Sequence, residues 1–134
     1  MSIRKKVRLL VVDDQNQFCE LVREIAELSS HIYDISCEFT NSEERAMELV
    51  STWDPSVILV DAHLSEIDSP QFVKDCQSSP APVVVTSELH SQSIEDAARE
   101  WGASGYAPKS ESPEDVERLV LELASMASGV SCYH

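Results

Sequence analysis

Four places in the chain put chemically capable side chains directly after apolar runs. Residues 7–12 (VRLLVV) stop at two adjacent acids, Asp13 and Asp14, and residues 57–60 (VILV) stop at Asp61. Residues 83–85 (VVV) lead to Thr86 and Ser87, and the stretch 104–107 (SGYA) leads through Pro108 to Lys109. If these runs are strands of one sheet, three carboxylates, a hydroxyl and an ammonium are delivered to one edge. Two carboxylates about 4 Å apart repel by roughly 4 kcal/mol at an effective dielectric near 20, so three of them ionised together need a compensating charge. A divalent cation supplies it. Mg²⁺ favours carboxylate oxygens, keeps several waters and bridges to phosphate oxygens, which directs the cluster toward phosphoryl chemistry. Taken singly, each residue has a plainer use: an acid after a strand caps the next helix, a loop threonine meets water, a lysine is solvated. The chemical reading rests on all of them falling at the ends of the correct strands.

Those ends meet only if the segments between them are crossover helices. Five strand candidates, 7–12, 33–39, 56–60, 82–86 and 104–107, alternate with five helical patterns. The predicted helix starts are Asn41 with Glu44 three residues on, Ser69 before Pro70, Ser91 or Ser93, and Ser112 before Pro113 with Asp115 at the third helical position. Gly102 suits the left-handed residue that closes the fourth helix. Val116, Leu119, Val120 and Leu123 recur at helical spacing and make one apolar stripe. Strict alternation of β and α predicts a parallel sheet covered on both faces. Segments 7–12, 57–60 and 83–85 are nearly continuous apolar runs, as central strands are. Segment 35–39 alternates Ile35, Cys37 and Phe39 with Ser36 and Glu38, as an edge strand does. The pattern suits a doubly wound five-stranded α/β sheet in the order 2-1-3-4-5, with its ligand crevice beyond the carboxyl ends of the first and third strands.

The 134 residues are read as one domain, with a core over about 6–126 and a flexible tail over 127–134. An apolar fraction of 43 % without repeats or low-complexity tracts excludes a disordered chain. No run approaches the roughly 18 apolar residues that a membrane span needs. The basic amino end is followed by too short an apolar run, ending in Asp-Asp, to be an export signal. A net charge of −14 repels phosphate backbones and argues against direct nucleic-acid binding. Cys19, Cys37, Cys76 and Cys132 have no metal-site spacing, and they are read as reduced residues of a cytoplasmic protein.

The motifs "VVDDQ", "VILVDAHL", "VVVTSE" and "GYAPKS" together resemble the receiver domains of two-component response regulators, the CheY-like superfamily, over about residues 6–126. The resemblance implies a flavodoxin-like (βα)5 fold and a phospho-acceptor at Asp61, loaded by a histidine kinase, a histidine phosphotransfer protein or a small donor. It implies Mg²⁺ held directly by Asp14, largely through water by Asp13, and by Asp61 and the main-chain carbonyl of His63. Lys109 would pair with the phosphoryl oxygens, and Thr86 would donate a hydrogen bond to one of them. Tyr106 stands where the family keeps a switch aromatic, coupled to Thr86. The resulting change would be read at the 91–123 surface, by a downstream protein or by homodimerisation, with Trp101 and Leu121 near its edges. His63 and Glu88, two positions after acceptor and hydroxyl, flank the path of the hydrolytic water, and an imidazole there is expected to prolong the phosphorylated state to minutes or longer. The chain would then be a signalling domain whose only catalysis is of its own phosphorylation and dephosphorylation.

There are departures from the pattern. Leu64-Ser65 replaces a Met-Pro pair, Ser69 stands where a glycine is common, and Pro108 precedes Lys109 while Ser110 follows it. The "GYxxKS" form is similar to the receivers of LuxR-type regulators. Two rival readings are a pseudo-receiver that binds partners without phosphorylation and a Mg²⁺-dependent phosphohydrolase with an aspartyl-phosphate intermediate. The second is disfavoured because its acids are spaced Asp-x-Asp, whereas Asp13 and Asp14 are adjacent.

Overall fold

Strand and helix alternate along the whole described chain, which in this computed structural model comprises residues 4–64, 67–89 and 91–127. The order is β1 (Lys5–Val12), α1 (Asn16–Leu28), β2 (Tyr33–Thr40), α2 (Glu43–Thr52), β3 (Val57–Asp61) and α3 (Ser69–Asp75) with a 3-10 turn at Cys76–Ser78. It continues with β4 (Val83–Ser87), α4 (Gln92–Trp101), β5 (Gly105–Pro108) and α5 (Pro113–Met126). All four strand pairings are parallel, and the sheet order is β2-β1-β3-β4-β5, the predicted doubly wound order.

The two-residue period of the strands sorts the apolar side chains into two cores. Val7, Leu9, Val11, Val57, Leu59 and Val84 face α1 and α5, meeting Phe18, Val22, Val116, Leu119, Val120 and Leu123. Leu10, Val12, Ile58, Val60, Val83 and Val85 face the other layer, meeting Ala46, Leu49, Phe72, Val73 and Ala98. β1, β3 and β4 are covered on both sides, which is why they read as continuous apolar runs. β2 is at the edge, and its residues are half-buried or exposed.

Local differences from the predicted elements have physical causes. β1 begins at Lys5, because Lys5 and Lys6 pair with Tyr33 and Asp34 at the sheet's edge, where charged side chains reach solvent. Lys5 Nζ donates to the carbonyls of Ala124 (3.0 Å) and Ala127 (3.2 Å), placing a cation at the negative end of α5. Ser42, and not Asn41, caps α2, its hydroxyl accepting from Arg45 N at 3.2 Å. Asp68, and not Ser69, caps α3, accepting from Gln71 N at 3.1 Å. The expected caps Ser91 and Ser112 are observed, and Gly102 closes α4 with φ 105°. Of the expected tail, Ala127 is packed into the α1/α5 core, and 128–134 lie outside the described residues, as does Ser65 of the altered loop. Among the described residues no helix is long and apolar enough to cross a membrane.

Candidate functional site

Sheet register gathers the polar residues. Val12 lies opposite Val60, so the next residues on these strands, Asp13 and Asp61, are neighbours; Asp61 lies opposite Thr86, and Thr86 opposite Ala107. Asp61 and Thr86 keep the alternation of Leu59 and Val84, which puts them on the α1/α5 face of the sheet. Asp13 is tied to its neighbour strand by its main-chain N–H, which donates to Thr40 O at 3.0 Å. Lys109 is brought in by its own N–H, which donates to Ser87 O at 2.8 Å, just past the end of β5.

The centre of the cluster is buried. Asp13 is 5 % exposed, Asp61 6 %, Lys109 8 % and Thr86 0 %. Lys109 Nζ lies 2.7 Å from Asp13 Oδ2 and 2.5 Å from Asp61 Oδ2. The other oxygen of each acid is held by the loop that follows it: Gln15 N donates to Asp13 Oδ1 at 2.8 Å and His63 N donates to Asp61 Oδ1 at 2.7 Å. Burial raises the Asp13 carboxyl above its ordinary value, and the ammonium only partly offsets this. Burial also works against the Lys109 charge, yet the hydrogen bonds and fields of Asp13 and Asp61 together outweigh it and leave its pKa raised.

Two features differ from the expectation that three carboxylates converge and are relieved by a metal. Asp14 is exposed at the rim, one residue beyond the row and pointing to the solvent side. The charge compensating Asp13 and Asp61 within the chain is Lys109. Among the described residues no three acidic, histidine or cysteine side chains form a metal cage by themselves. The residues nevertheless fit a hard, partly hydrated cation, which takes few protein ligands. Asp13 Oδ2 is buried with no protein group beyond the Lys109 ammonium, 2.7 Å away, to satisfy it, and Asp14 is exposed. Thr86 Oγ1 is likewise buried with no partner among the protein groups, a donor facing a site without an acceptor of its own.

His63 and Glu88 are both exposed. Tyr106 is half-buried, and its hydroxyl donates to Leu89 O at 2.9 Å, on the loop after β4. Three contributors escaped sequence reasoning. Gln15 reaches both Lys109 and Glu88. The Phe18 ring lies 4.9 Å from Lys109 Nζ. Ser69, read as a helix cap, is 2 % exposed and donates to Asp61 O at 2.9 Å, tying the loop after β3 to the end of its strand. Only "DDQ" carried a signal for Gln15, and it lies in adjacency to the acids.

A five-stranded parallel sheet in this order, with its polar cluster at the carboxyl edge, defines the flavodoxin-like fold of CheY-type proteins. The chain matches the profile of the response regulator receiver domain over residues 9–121, and it belongs to that family, whose members act in two-component signal transduction. The transcriptional regulatory protein DegU of Brevibacillus brevis is 26 % identical over 131 residues, covering 96 % of this chain and 53 % of DegU. Protein-glutamate methylesterase/protein-glutamine glutaminase 1 of Methanosarcina mazei is 30 % identical over 120 residues, covering 87 % of this chain and 33 % of the enzyme. The chain thus spans between a third and about half of the length of these relatives. Among solved structures, the signal receiver domain of NarL from Mycobacterium tuberculosis superposes with a TM-score of 0.75 at 26 % identity, covering 90 % of this chain and 98 % of that one. The Mn²⁺-bound form of response regulator Rcp1 has the same fold, with a TM-score of 0.72 at 22 % identity over 96 % of this chain and 99 % of that one.

Proposed function

We propose that this receiver domain takes a phosphoryl group on Asp61 from a phosphohistidine of a kinase or phosphotransfer protein, or from a small acyl phosphate, and passes the signal on through a protein-interaction surface. The observation that carries the reading is the Asp61 carboxylate itself. It is buried at the carboxyl end of a central strand, held by Lys109 on one oxygen and by the His63 N–H on the other, beside a hydroxyl with no protein acceptor. A carboxylate oxygen of Asp61 attacks phosphorus, the P–N bond of the donor breaks, and the leaving imidazole nitrogen keeps the electron pair and takes a proton from solvent. Lys109 balances charge on the transferred group, and the Thr86 hydroxyl donates to one of its oxygens. Mg²⁺ would be held by Asp13, Asp14, Asp61 and the His63 main-chain carbonyl, and it supplies neutralisation of the negative charges that meet during transfer. Mn²⁺ in the fold neighbour Rcp1 supports this cofactor class.

When Thr86 turns toward the phosphoryl group, the space it leaves admits Tyr106, whose hydroxyl is otherwise bound to Leu89 O. The altered surface, 91–123, meets a downstream partner or a second copy in the cytoplasm. Incubation with acetyl phosphate and Mg²⁺ tests the reading. One acid-labile phosphate per chain, absent from Asp61→Asn, is expected. Undiminished labelling of that variant overturns the acceptor assignment, multiple turnover of substrate would identify a phosphohydrolase, and no labelling at all would identify a pseudo-receiver.

A further inference from the structure

Lys109 is fixed by more than the two acids. An ammonium has three N–H donors, and the Lys109 side chain is 3 % exposed, so each donor needs an acceptor from the protein. Asp13 and Asp61 take two, and the third points to Gln15 Oε1, 3.0 Å away. The same Gln15 side chain donates from Nε2 to the carboxylate of Glu88, and its main-chain N donates to Asp13 Oδ1 at 2.8 Å. One residue therefore links the loop after β1, the loop after β4 and the lysine after β5. Only an amide suits this place. Its oxygen faces a cation and its nitrogen an anion, so the neighbours fix its orientation; a carboxylate would repel Glu88, and an aliphatic side chain would satisfy neither end. Gln15 and Glu88 also line the groove of about 950 Å³ that opens beside Lys109.

We infer that Gln15 is a positioning residue: its amide strap holds the Lys109 ammonium between the two carboxylates and, through Glu88, closes the side of the site that faces this groove. The strap rests on the reading of Asp61 as acceptor for its effect on phosphorylation, but its hold on Lys109 does not. The test compares the parent with Gln15→Leu, Gln15→Glu and the exchanged pair Gln15→Glu/Glu88→Gln. In the pair, a carboxylate at 15 accepts from Lys109 and from the new amide at 88, rebuilding the strap with its polarity reversed. Two quantities are measured on chains whose circular dichroism matches the parent: the rate of acyl-phosphate formation from acetyl phosphate with Mg²⁺, and solvent exchange of the ¹⁵N-labelled Lys109 ammonium protons without either.

In the parent the ammonium protons give a slowly exchanging signal at low temperature. Gln15→Leu and Gln15→Glu are expected to speed that exchange and to slow phosphorylation by about tenfold, the scale of one lost hydrogen bond to a charged group. The exchanged pair is expected to return both to within about threefold of the parent. A missing parental signal, unchanged exchange in Gln15→Leu whatever its rate, or a pair no better than Gln15→Glu alone overturns the strap. If no chain is phosphorylated while exchange responds as described, the Asp61 reading falls and the strap stands.

Discussion

Thr86 and Asp13 carry unfavourable free energy in the resting protein. A hydroxyl that is fully buried without a protein partner costs about 1–3 kcal/mol. Thr86→Val, which keeps shape and removes the hydroxyl, is therefore expected to raise the free energy of unfolding in urea by about 1 kcal/mol. A loss of stability would mean that the hydroxyl is satisfied in the resting state. Asp13 gives a pH-dependent counterpart. Burial holds its native pKa above the ordinary 3.8, so the folded chain binds this proton more readily than the unfolded one. The contribution of Asp13 to stability then falls as pH rises through the interval above 3.8. Asn at this position carries no charge at any pH. The stability of Asp13→Asn relative to the parent should accordingly grow as pH is raised from about 3 to about 7, followed by urea midpoints. A difference that shrinks would put the attraction of Lys109 ahead of burial.

The elements are held in place by a few residues whose roles depend on which way the chain turns. At the end of α4, Gly102 has φ 105°, and a Cβ there would stand 3.0 Å from the Gln77 side chain, whose amide is bound to Val73 O at 2.8 Å. Gly102→Ala combines a strained backbone with displacement of that amide and should lower the free energy of unfolding by about 1–2 kcal/mol, measured by urea or heat. Two adjacent residues, Asp68 and Ser69, both qualify as a cap for α3. Asp68 takes the role because the helix presents it to solvent, while Ser69 turns inward and binds Asp61 O. The serine that replaces the family's common glycine thus ties the end of β3 to its loop.

On the scale of the whole molecule, two cores clamp one sheet, and helices cover both of its faces. Three thiols illustrate the dryness of these layers: burial pushes Cys19 and Cys37 up to about 11 and Cys76 up to about 12, so none is a reactive thiolate near neutral pH. Trp101 is half-buried against the core beneath α4 and is first a packing residue of the proposed output face. That face, 91–123, spans α4, β5 and most of α5, and its proposed coupling to the site runs through Tyr106, whose hydroxyl donates to the Leu89 carbonyl. Amide exchange with and without a phosphoryl mimic is expected to change there. A change confined to α2, which lies beside β1 and β2, would refute the coupling.

How much of this was legible in the residues follows from what is local. Strand identity, the central or edge place of each strand and the order 2-1-3-4-5 come from apolar runs and their two-residue period, which the chain writes over a few consecutive positions. The same period and the motifs assigned Asp13, Asp61, Thr86 and Lys109 to strand ends. Tertiary structure decided the rest. Strand register aligns Asp61 with Thr86 and sets Asp13 beside them, and no segment of sequence encodes register by itself. Asp14, adjacent to Asp13 in the chain, lies exposed at the rim while its neighbour is buried, because successive residues leaving a strand point apart. Lys109 joins Asp61 at a separation of 48 positions in the chain, and Gln15 joins Glu88 at a separation of 73; such contacts exist only after the sheet has brought three loops to one edge.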